Sequence, residues 1–203
     1  MTLAPEASER ALIIATAYEL LAASDGASAS ITDILTTAKL STRAFYRHFG
    51  SKDDLLTAMF RRDSERVLEA LAGRSALEPT GRSALRTWVT EWMALGADPR
   101  RRRRALVLTS EEVTRARGFR DEQLRGRTAE EAALADLLLR GRDDGSLPLA
   151  QPQRDAPHVR SVLHQALERQ MRDPRAPDLE RSTAGLLDFL LRALGGPGTP
   201  SGP

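Results

Sequence analysis

Three helix-start signals stand between Ser30 and Ser51, and they constrain how this chain begins to fold. Ser30 and Asp33 have the S-x-x-acid spacing of an N-terminal cap, in which each side chain takes an orphan backbone donor. Ser41 opens the next helix, Gly50 breaks it, and Ser51 with Asp54 repeats the capping spacing. Helices this closely spaced do not persist alone, because nucleation is unfavourable and few hydrogen bonds offset it. They must pack. Ile31, Ile34 and Leu35 give one of them a buried face, and Phe45 and Phe49 give another. Support comes from Arg10 to Ala23, where Ile13, Ile14, Ala17, Leu20 and Leu21 recur at helical spacing until Asp25-Gly26. A first helix bracing two short helices across a tight turn is the plan of a helix-turn-helix unit.

The remainder is helical as well. A fourth helix over 51–72 keeps Leu56, Phe60, Val67 and Leu71 on one side. Gly73 to Gly81 reads as a bend. Leu85 to Trp92, Leu106 to Val113 and Leu124 to Arg140 then fit helices, and Gly141–Pro157 reads as loop. Two long amphipathic helices follow, the last ending near Leu194. Residues 1–9 read as a loose arm and 196–203 as a disordered tail. No strand-like alternation is present, so the expected class is all-α, with about nine helices. The expected division is a DNA-binding domain at 10–56, the fourth helix as connector, and a second domain at 73–195.

Composition narrows the function. With 203 residues and 41% hydrophobic content, a packed core is within reach. The chain has no cysteine, which excludes disulfides, thiolate metal sites and thiol nucleophiles. No apolar run is long enough to span a bilayer, and no signal pattern opens the chain, so a cytoplasmic location is the default. His48, His158 and His164 are too sparse for metal spacings, and there is neither a phosphate-cradling glycine motif nor a nucleophile elbow. No enzyme, metal or cofactor is expected. The net charge is only +2, but its placement is uneven. From Ile34 to Lys52 there is no Asp or Glu, while Lys39, Arg43, Arg47 and Lys52 are present, with His48 among them.

The pieces ITDILTTAKLS, AFYRHF and GSKDDLL, taken with their order, resemble the DNA-binding domain of the TetR family. The resemblance covers roughly Arg10–Leu56. It implies a DNA-binding regulator whose remaining helices bind a small-molecule effector and form a homodimer. Three positions depart from the family pattern. Lys39 stands where the turn usually has Gly, and a left-handed backbone costs a non-Gly residue about 1 kcal/mol. Either the turn is reshaped or Lys39 gains by reaching a phosphate. Arg43 and Ala44 replace the usual Gly and Thr, so Ala44 lacks a hydroxyl expected to touch phosphate.

The expected DNA contacts are Ser30, Thr32, Lys39, Ser41, Thr42, Arg43, Tyr46, Arg47, His48 and Lys52. Thr42 and Arg43 sit at the end of the recognition helix that enters the major groove, where an Arg fork can bind guanine. Tyr46 and His48 suit phosphate. Lys52 lies in a helix first turn, where backbone N–H groups already favour an anion. Phe45 and Phe49 read as core. An apolar effector pocket could be lined by Trp88, Trp92, Met93, Leu106, Phe119, Leu134, Leu138 and His164, although periodicity does not separate a pocket from a core. A stripe of Leu186, Leu187, Leu190 and Leu194, with Val159, Val162, Leu163 and Ala166 on the helix before, would need a partner and points to a four-helix dimer interface. The Arg100–Arg104 run reads as a solvated helix start, with a second nucleic-acid contact as the alternative. The leading reading is a dimeric, effector-responsive repressor on a palindromic operator. A transcriptional activator, or a helical sensor or adaptor that has lost operator binding, with Lys39 and Ala44 as its signs, remain as alternatives.

Overall fold

The computed structural model of the chain describes residues 5–24, 28–172 and 178–195. The expected tail, the start of the arm and the Asp25-Gly26 turn lie outside these residues. Ten helices and no strand occur among the described residues: α1 (Pro5–Ala23), α2 (Ile31–Ala38), α3 (Thr42–His48), α4 (Lys52–Ala76), α5 (Gly81–Ala94), α6 (Pro99–Leu108), α7 (Glu111–Thr114), α8 (Phe119–Asp143), α9 (Pro152–Arg172) and α10 (Leu179–Ala193). None is long and apolar enough to cross a membrane.

Several boundaries differ from expectation. The first helix begins at Pro5, inside the stretch read as an arm. The stretch Leu106 to Val113 is not one helix: α6 ends at Leu108, and Ser110, with extended backbone at φ −67° and ψ 158°, restarts the chain as the single turn α7. This is the helix beyond the expected nine. The fourth helix passes through Gly73 to Ala76, because Leu71 and Ser75 are buried on either side of a glycine that weakens a helix without ending it. The loop before α9 is shorter than expected, since Pro152 takes the first helical position, where its missing N–H has no cost.

The chain forms two compact units that do not follow the sequence in order. The first joins the chain up to Ser64 with Arg103–Arg125. Its core holds Ile13, Ile14, Ala17 and Leu21 of α1, Ile34 and Leu35 of α2, Phe45 of α3, and Leu55 and Met59 of α4. Val107, Leu108, Val113 and Phe119 from the later segment complete it, and the Phe60 and Phe119 rings meet edge to face at 4.8 Å. Each fully buried apolar side chain of this size contributes about 1.5–3 kcal/mol.

The second unit joins Glu65–Arg102 with the chain from Gly126 onward. Here α5 packs against α9 and α10, and α9 against α10. Leu85, Trp88, Val89 and Met93 of α5 and Leu134 and Leu138 of α8 are buried in this unit. Gly81 approaches Gly141 so closely that a Cβ on it would fall 2.1 Å from the Gly141 Cα. The exposed N–H groups of the α5 N-terminus are taken by the loop after α8: Gly81 donates to Asp144 (2.7 Å) and Arg82 to the Ser146 hydroxyl (3.0 Å). Hydrogen bonds from the Ser146 hydroxyl and the Gly81 N–H hold the Asp144 carboxyl below its usual range. The Arg140 guanidinium donates to the carbonyls of Ser75, Glu78 and Thr80, closing the end of α4.

One expectation changes here. Leu186, Leu187, Leu190 and Leu194 are buried within the chain itself, as are Val159 and Leu163, so this stripe already has its partner. The Arg100–Arg104 run lies inside α6, where the Asp98 carboxylate accepts from the N–H groups of Arg100 (2.8 Å) and Arg101 (3.4 Å) and offsets the unfavourable dipole. Arg103 donates to the Ala22 carbonyl, and Arg104 lies 4.4 Å over the Tyr18 ring and 3.4 Å from Asp63. Arg102 donates to the Met171 carbonyl. Arg102, Arg103 and Arg104 thus each reach a group on another helix while the run stays at the solvent-exposed start of α6.

Candidate nucleic-acid interface

The reading head is built from two capped helices and one strained turn. Ser30 caps α2: its hydroxyl accepts the Asp33 N–H (3.0 Å) and donates to the Asp33 carboxylate (2.6 Å). That hydroxyl, with the Ser30 N–H, holds the Asp33 carboxyl below its usual range. Both Ser30 donors are thus spent on Asp33, which removes Ser30 from the expected phosphate contacts. Thr32 is exposed in the first turn of α2.

Lys39 ends α2 with φ 55° and ψ 41°, the left-handed conformation. Its N–H reaches the Leu35 and Thr36 carbonyls, and the Leu40 N–H reaches Leu35 at 3.0 Å. The turn is therefore not reshaped. It keeps the geometry that glycine serves best, at a cost of about 1 kcal/mol for the side chain. Lys39 itself is exposed.

Ser41 caps α3 by accepting the Ala44 N–H at 3.2 Å. From there the helix separates two faces. Thr42, Arg43, Tyr46 and Arg47 are exposed, whereas Ala44 and Phe45 are buried, followed by buried Phe49. Ala44 is only 4% exposed, so its side chain packs inward, and the expected loss of a phosphate-binding hydroxyl does not arise on the open face. Tyr46 is 57% exposed and its ring meets Phe45 edge-on at 5.4 Å, which leaves the hydroxyl available.

Three of the expected contacts, Arg47, His48 and Lys52, are already engaged. Glu9, on α1, lies 2.8 Å from the Arg47 guanidinium and 3.2 Å from His48 Nε2. The His48 side chain is 10% exposed and turned toward that carboxylate, so it anchors α3 to α1 and is not an open phosphate donor. Arg10 sits 5.2 Å over the Phe49 ring, and burial with the nearby Arg61 and Arg62 charges lowers its pKa. At the start of α4, Ser51 accepts the Asp54 N–H at 3.1 Å. Lys52 forms an ion pair with Glu112 of α7 and lies 3.4 Å from the Ser28 hydroxyl. Glu9 and Glu112 have no local sequence signal as partners of the reading head, because each is brought there by packing from a distant part of the chain.

The expected effector residues fall in two places. Leu106, exposed, and Phe119, buried, belong to the first unit. Trp88, Trp92, Met93, Leu134, Leu138 and His164 belong to the second. The structure brings Trp92 and His164 together, with ring centroids 4.5 Å apart, and the Trp92 indole N–H donates to the Leu163 carbonyl at 3.0 Å. His164 Nε2 and Arg160 both reach the buried Glu130 carboxylate, at 2.9 and 3.0 Å. The Trp88 indole nitrogen is buried without a hydrogen-bond partner.

Residues 13–59 match the sequence profile of the family described as bacterial regulatory proteins, tetR family. No curated protein matches the chain. Solved structures share its fold along nearly the whole length. A TetR-family transcriptional regulator from Pectobacterium atrosepticum is 23% identical, with TM-score 0.69, covering 96% of this chain and 97% of its own. FadR from Bacillus subtilis, in complex with stearoyl-CoA, is 17% identical, with TM-score 0.72, covering 90% and 97%. A transcriptional regulator from Saccharomonospora viridis, in complex with choline, is 18% identical, with TM-score 0.73, covering 91% and 96%. Fold and reading head together define a helix-turn-helix, DNA-binding transcriptional regulator. Residues 13–59 match the amino-terminal domain of the tetR family, and the rest of the chain shares the fold of solved TetR-family regulators.

The strained turn can be tested directly. Lys39→Gly should raise stability by up to ~1 kcal/mol in urea unfolding, whereas Lys39→Ala should not, because only glycine relieves the left-handed backbone. Both variants should weaken DNA binding alike if the amine, and not the backbone, meets phosphate.

Proposed function

We propose that the chain is an effector-responsive repressor that binds a palindromic operator as a homodimer. The observation that carries the DNA-reading part is the division of α3, with Thr42, Arg43 and Tyr46 exposed on one face while Ala44 and Phe45 hold the other in the core. Thr42 and Arg43 read bases, Tyr46, Lys39 and Thr32 touch phosphate, and Ser41 sets the helix start. Arg47 and Lys52 join them when their carboxylates yield. A duplex recovered from a random-sequence pool should contain an inverted repeat whose half-sites lie about 34–36 Å apart. On it, Arg43→Ala should lose roughly tenfold to a hundredfold in affinity and relax one position in each half-site, as the loss of a bidentate base contact predicts. A uniform loss across all sequences would assign Arg43 to phosphate.

The dimer reading needs a face other than the buried leucines. On α10, Phe189 is 51% exposed, and a Cβ on Gly185 would meet nothing within 4 Å. Ala184 is exposed beside them, and Val162 and Ala166 on α9 are half-buried. An exposed aromatic among small residues suits close helix–helix contact between two copies. Phe189→Arg should shift the protein to monomer in sedimentation and weaken operator binding. A dimer of unchanged affinity would place the interface elsewhere.

The effector part rests on the second unit. Its Trp88 donor, 1% exposed and unpaired, offers an acceptor group a place among apolar side chains. The similar structures hold stearoyl-CoA and choline, which makes acyl and quaternary ammonium compounds the first probes. The only two tryptophans of the chain, Trp88 and Trp92, both lie in this unit. Their fluorescence should shift on titration with a binding probe, and the same probe should release operator DNA. A ligand can shift that balance only by binding one form better. A probe that tightens DNA binding would turn the reading from induction to co-repression.

A further inference from the structure

The lysine at the start of α4 does not face an empty site. Backbone N–H groups of that first turn favour an anion, and Lys52 stands among them. Its ammonium is instead paired with the Glu112 carboxylate, with side-chain exposures of 28% and 23%. Glu112 comes from α7, whose position is set by Val113, fully buried in the core of the first unit, and by Ala116, 7% exposed. The preceding Glu111 takes the opposite course: it is 71% exposed and pairs with Arg115 along its own segment. Two adjacent carboxylates therefore differ in role, one solvated and one directed at the reading head. Asp53 and Asp54 already stand in the first turn of α4. While Glu112 holds Lys52, the ammonium is neutralised, in a helical turn that already carries two carboxylates, and it attracts phosphate less than a free lysine would.

We propose that Glu112 is a positioning residue that sets DNA affinity: its carboxylate competes with operator phosphate for Lys52, and α7 thereby controls one grip of the reading head. This rests on the DNA-binding reading above. Phosphate contact at Lys52 requires exchange of one anion for another, so the contact adds less to affinity than a free lysine would. A half-buried pair is screened less by salt than a fully exposed one, which makes the competition felt at working ionic strength. Anything that displaces α7 would release Lys52 and strengthen the grip, and anything that fastens α7 would weaken it.

The test uses the full-length protein and a random-sequence duplex at low salt, read by fluorescence anisotropy across a salt series. Glu112→Gln should tighten binding roughly threefold to tenfold and steepen the log–log salt slope by about 0.9, the increment for one added phosphate contact. Glu111→Gln makes the same charge change one residue away and should move the affinity less than about twofold, as a screened, exposed charge does. In a Lys52→Met background the effect of Glu112→Gln should vanish, which a merely structural role for Glu112 would not produce. Equal affinity of wild type and Glu112→Gln overturns the proposal, including the case in which neither binds. So does an equal gain from Glu111→Gln, or a gain that survives Lys52→Met. Wild type alone judges the underlying reading: no binding at low salt removes that reading, whereas binding indifferent to Glu112→Gln removes the competition only. Circular dichroism melting of each variant confirms that the fold is retained.

Discussion

The complete burial of Phe45 is the interaction on which the reading head depends. A helix as short as α3 has too few internal hydrogen bonds to persist in water, so its place and pitch come from side chains driven into the core. Phe45 does this together with Phe49, whose ring lies 5.6 Å from it, against Ile13, Ile14 and Ile34. Once those rings are fixed, the 3.6-residue period leaves Thr42, Arg43 and Tyr46 on the open side. DNA reading is in this sense a by-product of packing: the buried face decides which residues the other face can offer.

Electrostatics then qualify what is offered. Arg47 and His48 share the Glu9 carboxylate, and Lys52 is paired with Glu112. Arg43, by contrast, is exposed on the same helix. The acid-free window from Ile34 to Lys52 is therefore not a free positive surface. Carboxylates from outside it neutralise part of its charge. Phosphate contacts supply much of the affinity of such proteins and base contacts their selectivity. In this reading head Arg47 and Lys52 are held by carboxylates while Arg43 is open.

Local chemistry was legible wherever a short-range rule governs it. The S-x-x-acid caps at Ser30 and the serine caps at Ser41 and Ser51 appear where the spacing places them, because a cap is a contact between residues three apart. Lys39 adopts the left-handed turn despite lacking glycine's freedom, since the flanking apolar residues of α2 and α3 over-determine the path. The readings that failed were those about which polar or apolar surface remains open. The leucines of α10 look unpartnered in sequence, yet α5 and α9 cover them. Ala44 looks like a lost DNA contact, yet it faces the core.

The sequence by itself determined the all-helical class, the helix-turn-helix and the residues of its buried face, because periodicity and capping act over a few residues. Only the tertiary structure decided that Arg103–Arg125 packs with the amino-terminal helices, and so brings Glu112 to Lys52. It also placed Glu9 beside Arg47 and His48, turned the α10 leucines inward and left Phe189 outside. The physical reason is the same in each case. A side chain's partners at long sequence separation are chosen by how whole helices pack, and no local pattern encodes that choice.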